Sequence, residues 1–195
     1  MSTDVASPPR PLPKPLISRD YTSYSAISTY RSCPLRFYFK YIERLPEEPT
    51  SSSLVFGTSR HSAIEYYLTQ RMIGKVEPNL NDLKDIFWQA WREREQRTTI
   101  TLGKGQTLDT IEALLNRVLT TFLSSDWSRP NGLIVGIEEE LRGQITAGLP
   151  DLLGRIDLIT DNDDHIVVTD FKTSRSRWSP LQADVSAEQY CSTIN

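Results

Sequence analysis

Between about Gly57 and Phe122 the apolar positions recur three and four residues apart, and after Pro130 they crowd into short β-branched runs. A segment from about Gly57 to Gly74 places Ile64, Leu68 and Met72 at successive four-residue steps and predicts a helix with His61 centred on that stripe. NLNDLKDIFWQAWRERE predicts a second helix, with Asn79 or Asn81 as cap and Leu80, Leu83, Phe87 and Trp91 on its apolar side. TLDTIEALLNRVLTTFL repeats the pattern through Leu108, Ile111, Leu115, Val118 and Phe122. Upstream, Ser23 or Ser25 caps a short helix, AISTYRS, and Pro34 opens another, PLRFYFKYIERL, because a proline at the first helical position lacks only an amide that would be unpaired anyway. EEPTSSS between them and Gly57 reads as a polar loop. GLIVGIEEELRGQIT, DLLGRIDLIT and HIVVTDFKT are strands separated by turn residues. Helices followed by strands predict an α/β (α+β) domain, with a helical region beside a sheet. The last segment, LQADVSAEQYCSTIN, starts a helical pattern near Ala183 and stops, so the chain is expected to end before its fold does.

Composition narrows the picture only a little. At 195 residues and 38% hydrophobic, the chain can bury one ordinary core. Its net charge of −3 means that any nucleic-acid contact must rest on a local patch. Cys33 and Cys191 lie far apart with no CxxC spacing, which fits a reducing, cytoplasmic setting. Cys33 beside Pro34 reads as a small buried hydrophobe. No run of about 18 apolar residues is present, so no membrane span is expected. Residues 1–20 are rich in proline and read as an extended arm before a domain spanning 21–195.

The strand ends carry the chemistry. HIVVTDFKT puts Asp170 and Lys172 on one face of a strand and Phe171 on the other, where it can anchor in the core. TDNDDH turns the chain back, so the preceding strand would form an antiparallel hairpin with it. Taking the turn's centre near residues 162 and 163 sets Asp157 level with residues 168–170. Two carboxylates and a lysine in one cleft suit a shared divalent cation and metal-assisted phosphodiester hydrolysis. They equally suit an exposed hairpin end with a surface ion pair worth ~0–1 kcal/mol. The acidic turn fails as a calcium loop, because Ile166 and Lys172 stand where glycine and glutamate are needed. His61, with Glu65 one turn further on, is either a satisfied core histidine or a third metal ligand. Arg31, Arg36, Lys40 and Arg44 recur around Tyr30, Phe37, Tyr38 and Tyr41, which fits either phosphate tracking with base stacking or a solvated basic face. Arg175 and Arg177 follow Lys172 closely enough to contact phosphate, or form a polar loop.

In order along the chain, these stretches resemble the RecB-like nucleases of the PD-(D/E)xK superfamily, the group of AddB-type and CRISPR-associated exonucleases. YSAISTYRSCPLRFYFKYIERLPEEP resembles that group's N-terminal signature, and GTSRHSAIE its histidine-bearing helix. IEEEL resembles its acidic strand, with Glu138 as the match. GRIDLI resembles the G-x-I-D motif and DFKT the D-Y-K-T motif. Gln189 is similar to the glutamine of a downstream helix, although Ser192 and Thr193 stand where its tyrosine is expected. The resemblance implies a restriction-endonuclease-like core, a central mixed sheet flanked by helices. It also implies Mg²⁺ or Mn²⁺ held by His61, Asp157, Asp170 and the Phe171 carbonyl, with Lys172 catalytic beside the two acids. Glu65 and Gln189 would orient ligands or substrate, Arg36, Lys40, Arg175 and Arg177 would hold DNA, and the reaction would be exonuclease-like cleavage in recombination or repair, with a helicase subunit as a further partner. Some relatives hold an iron–sulfur cluster, but Cys33 and Cys191 fall short of the four thiolates it needs, so none is expected. The group's core continues past the glutamine helix, so the resemblance also allows a truncated, inactive domain that only grips DNA or a helicase.

Overall fold

A computed structural model describes residues 21–45, 49–144 and 147–172. The arm at residues 1–20, together with Arg175, Arg177, Gln189 and Cys191, lies outside the described residues. The elements run β1 (Tyr21–Ser23), α1 (Tyr24–Ser32), α2 (Pro34–Phe37), β2 (Thr50–Ser51), α3 (Ser52–Met72), α4 (Leu80–Glu95), β3 (Ile100–Thr101), α5 (Leu108–Leu123), β4 (Leu133–Gly143), β5 (Asp151–Asp161) and β6 (Ile166–Thr169). The result is a mixed sheet with helices packed on it, the architecture that the resemblance implies for the helices and strands of the sequence pattern.

β5 organises the sheet. Along one edge it pairs antiparallel with β4, from Leu152 with Gly143 to Asp161 with Leu133. Its other edge is shared by two short strands, parallel β1 at the start and antiparallel β6 at the end. A separate two-stranded parallel sheet joins β2 to β3. The β5–β6 hairpin forms as expected, with Leu158 opposite Thr169 and Asp161 opposite Ile166. The turn is tighter than TDNDDH, because Asp161 still belongs to β5 and Asn162 N–H closes on the His165 carbonyl at 3.0 Å.

The core lies between α3, α4, α5 and the sheet. Leu68, Leu83, Phe87, Leu115, Leu119 and Leu158 are fully buried in it. Phe87 sits at its centre, edge-on to Phe56 with ring centroids 5.2 Å apart. α3 begins a turn earlier than Gly57: the Ser51 hydroxyl accepts from Leu54 N–H, so Ser52 and Ser53 of the expected loop are helical. α4 starts at the Asn79 cap, reinforced by Asp82 reaching back to the Asn79 amide. On α5 the buried positions are Ile111, Leu115, Leu119 and Phe122, and Leu108 at the first turn is 56% exposed.

Two expectations about the helices are corrected. The buried side of α3 runs through Ser59, Arg60, Ala63, Ile64, Tyr67 and Leu68. His61 therefore sits on its flank, half-buried, and Met72 is 47% exposed. The expected single helix from Pro34 is one α-turn followed by a π-turn over Tyr38–Ile42, where Glu43 N–H bonds to the Tyr38 carbonyl. Cys33 is exposed rather than buried, and its sulfur caps α2 by accepting from Arg36 N–H at 3.4 Å.

β4 carries an irregularity that matters for the site. Its register shifts between Ile134 and Gly136, leaving Val135 as an extra residue opposite β5. A Cβ at Gly136 would stand 2.6 Å from the Glu139 side chain and 3.2 Å from Ile159, so only glycine fits the bulge. Two residues on, Glu138 takes a left-handed backbone, φ 50°. For a non-glycine residue inside a strand this is strained, and such strain is usually stored where a side chain must be re-aimed.

Candidate metal and nuclease site

The re-aimed side chain is one of three that converge. Glu138 from β4, Asp157 from β5 and His61 from α3 bring one ligand atom each within 4.8 Å of the others. His61 Nδ1 stands 3.3 Å from Glu138 Oε1 and 3.5 Å from Asp157 Oδ2. Asp170 and Lys172 line the same cleft, of about 580 Å³, together with Glu65, Arg155 and the Ser23–Ser25 stretch that opens α1. The hairpin thus does what its register predicts: with Leu158 opposite Thr169, Asp157 falls level with Asp170.

Asp170 and Lys172 differ from the expected picture in one respect. They stand past the last residue of β6 rather than on the strand. Their side chains still meet, Lys172 Nζ lying 2.8 Å from Asp170 Oδ1. Phe171 between them points into the core, its ring edge-on to Phe122 at 6.1 Å. Its amide donates to Asp157 Oδ2 at 2.6 Å, and its carbonyl accepts from Arg60 Nη2 at 2.6 Å. Asp170 is outside the close group of three, and the Phe171 carbonyl is engaged by a guanidinium. Glu65 lines the cleft from the solvent side. Arg36 is exposed on α2, and Lys40 lies over the Tyr41 ring at 5.7 Å on the π-turn that follows.

Arg60, on the buried face of α3, is a residue the sequence pattern did not single out. The available signal was its spacing: Arg60, Ile64 and Tyr67 are four and three residues apart, the stripe of a buried face.

The electrostatics suit a bound cation. Burial holds the Asp157 carboxyl above its ordinary range, and Asp170 and Glu138 push the same way. The Phe171 amide and His61 pull it back. Glu65 is raised too, by burial and then by Glu138, against Arg155 and His61. Five carboxylates, Glu65, Glu138, Glu140, Asp157 and Asp170, line the cleft against Arg155 and Lys172, with Arg60 buried beside the acids and the imidazole of His61 between. A divalent ion would supply the charge. Carboxylate oxygens with one imidazole suit Mg²⁺ or Mn²⁺, the imidazole favouring the latter.

Comparison with known proteins agrees with this chemistry. The family description of the PD-(D/E)XK nuclease superfamily matches residues 21–191. The chain belongs to that superfamily, whose members are typically nucleases that use divalent metals. No curated protein and no solved structure matches the chain significantly. Among the described residues no helix is long and apolar enough to cross a membrane.

The raised Asp157 pKa has a sign that can be tested. A carboxyl raised in the folded state costs nothing below its unfolded value, near 3.8, and costs progressively more as pH rises through the interval up to the folded value. Metal-free protein at pH 7 therefore carries this penalty, and Asp157→Asn should melt roughly 2–5 °C higher than wild type there. At pH 4 the difference should shrink. Adding Mn²⁺ should raise the wild-type melting temperature and leave the variant's unchanged, as scanning calorimetry would show.

Proposed function

We propose that this chain is a RecB-like, metal-dependent deoxyribonuclease of exonuclease type, working in DNA recombination or repair. The observation that carries the reading is the meeting of His61, Glu138 and Asp157 in one cleft with the Asp170–Lys172 pair. Bound Mg²⁺ or Mn²⁺ would polarise the scissile phosphate and lower the pKa of water. His61, Asp157 and Asp170 would hold the ion, with Glu138 completing the acidic side. Lys172, 43% exposed at the cleft edge, would orient the attacking water and offset charge growing on the phosphate. Glu65, from its flank of α3, would orient ligands from outside, and Gln189 belongs to this proposal through the resemblance alone.

DNA would approach across the N-terminal helical region. Residues 24–45 hold Arg31, Arg36, Lys40 and Arg44 against Glu43, a surplus of +3 (4 − 1) in a chain of −3. Ser23, Tyr24 and Ser25, where this segment begins, line the candidate site. Tyr30 and Phe39 are 55% and 43% exposed and offer ring faces to unpaired bases. Arg175 and Arg177 are proposed phosphate contacts nearer Lys172 in sequence. The likeness to AddB-type enzymes extends the proposal to a helicase subunit as partner.

The purified chain with Mg²⁺ or Mn²⁺ should shorten linear DNA and spare covalently closed circles. Lys172→Ala should lower the rate by about 10²–10³ without changing the melting temperature. Equal rates in the two proteins would sink the mechanism. Binding of DNA with no cleavage by wild type in either metal would favour the inactive-module reading. Arg36→Ala with Lys40→Ala should weaken DNA binding and flatten the slope of log affinity against log salt by about 2. An unchanged slope in a fluorescence-anisotropy titration would remove these residues from the interface.

A further inference from the structure

The last ladder pair of the β5–β6 hairpin joins Leu158 to Thr169, so Asp170, Phe171 and Lys172 lie beyond it. Backbone that leaves a sheet loses its hydrogen bonds, and its buried polar groups need other partners. Two side chains supply them. Asp157 takes the Phe171 amide and Arg60 donates to the Phe171 carbonyl, each at 2.6 Å. The amide belongs to the peptide unit joining Asp170 to Phe171, and the carbonyl to the unit joining Phe171 to Lys172. Both planar units flanking Phe171 are gripped, and the side chains of Asp170 and Lys172 leave the chain at their outer ends.

Arg60 is an expensive residue to place there. It is 4% exposed on the buried face of α3, and its Nε is buried with no partner among the described residues. Burying a guanidinium is unfavourable unless neighbouring charge and hydrogen bonds offset it. Asp157, Asp170 and Glu138 provide that charge. A planar guanidinium also reaches the carbonyl with a fixed geometry that a flexible ammonium lacks.

We propose that Arg60 is a positioning residue that clamps the Phe171 carbonyl and thereby fixes where Asp170 and Lys172 stand in the cleft. The clamp itself is independent of the nuclease reading; its effect on turnover rests on that reading. The charge of Arg60 also stands in for part of the metal's when none is bound.

Hydrogen exchange at the Phe171 amide, followed by NMR in full-length protein, reads the clamp without reference to activity. Arg60→Met should speed that exchange at least ~10-fold, because the segment around Phe171 loses one of its two holds and opens more often. Arg60→Lys should fall between Met and wild type. In steady-state assays Arg60→Met should lower kcat by about 30-fold at unchanged KM for DNA, and Arg60→Lys should recover most of the loss. Wild-type exchange at Phe171 in both variants, or a raised KM at unchanged kcat, would overturn the proposal. If Arg60→Met does not fold, Arg60→Lys decides alone: faster exchange than wild type supports the clamp, and identical exchange ends it. If wild type cuts no DNA, the nuclease reading fails while the exchange result still decides the clamp.

Discussion

At the end of β6 the ladder of backbone hydrogen bonds stops and a side chain takes over. Asp157 accepts the Phe171 amide at 2.6 Å, and this contact joins three parts of the site. It holds the Asp170–Lys172 segment against β5, and it sets Asp157 Oδ2 3.5 Å from the His61 ring on α3. It also keeps a carboxylate that burial would otherwise neutralise nearer to its ionised form. Structural and chemical duties fall on the same oxygen, so the strand end cannot be loosened without changing the electrostatics of the cleft.

The rest of the site follows from charge balance. Glu138 reaches the cluster only because Gly136 admits a bulge and Glu138 itself accepts a left-handed backbone. That strain brings one more negative charge to a place already rich in them, which lowers stability in the absence of a cation. Arg60 and Lys172 offset part of the repulsion. Arg60 does so from beneath, buried and bonded to backbone; Lys172 does so from the rim, paired with Asp170. A site under such tension is poised to take up a divalent ion, since binding relieves the repulsion as well as gaining ligands.

How much of this could be read from the residues depended on how far each periodicity runs without drift. The hairpin was legible because a strand alternates strictly and the turn is short. Counting outward from residues 162 and 163 places Asp157 level with residues 168–170, and the observed pairing of Leu158 with Thr169 narrows this to Asp170. The face of α3 was less legible. Steps of four residues advance about 40° beyond a full turn each time, so a stripe drawn through Ile64, Leu68 and Met72 rotates away from the core. Met72 ends exposed, and His61 at the other end sits on the flank. That flank turns its ring toward the cleft rather than the core. Arg60 was hidden by its charge, and the left-handed turn at Glu138 has no mark beyond a glycine two residues earlier. The π-turn after Phe37, in a run holding Phe37, Tyr38, Phe39 and Tyr41, interrupts a pattern that reads as continuous helix.

The central claim is that His61, Asp157 and their acidic neighbours form one divalent-cation site. Anomalous diffraction from a crystal grown with Mn²⁺ tests it most directly. The account predicts a single strong peak within about 2.0–2.2 Å of a His61 nitrogen and an Asp157 oxygen, with Asp170 or Glu138 completing the shell. No peak in this cleft at saturating Mn²⁺, or manganese bound only at surface acids such as Asp163 and Asp164, would contradict it.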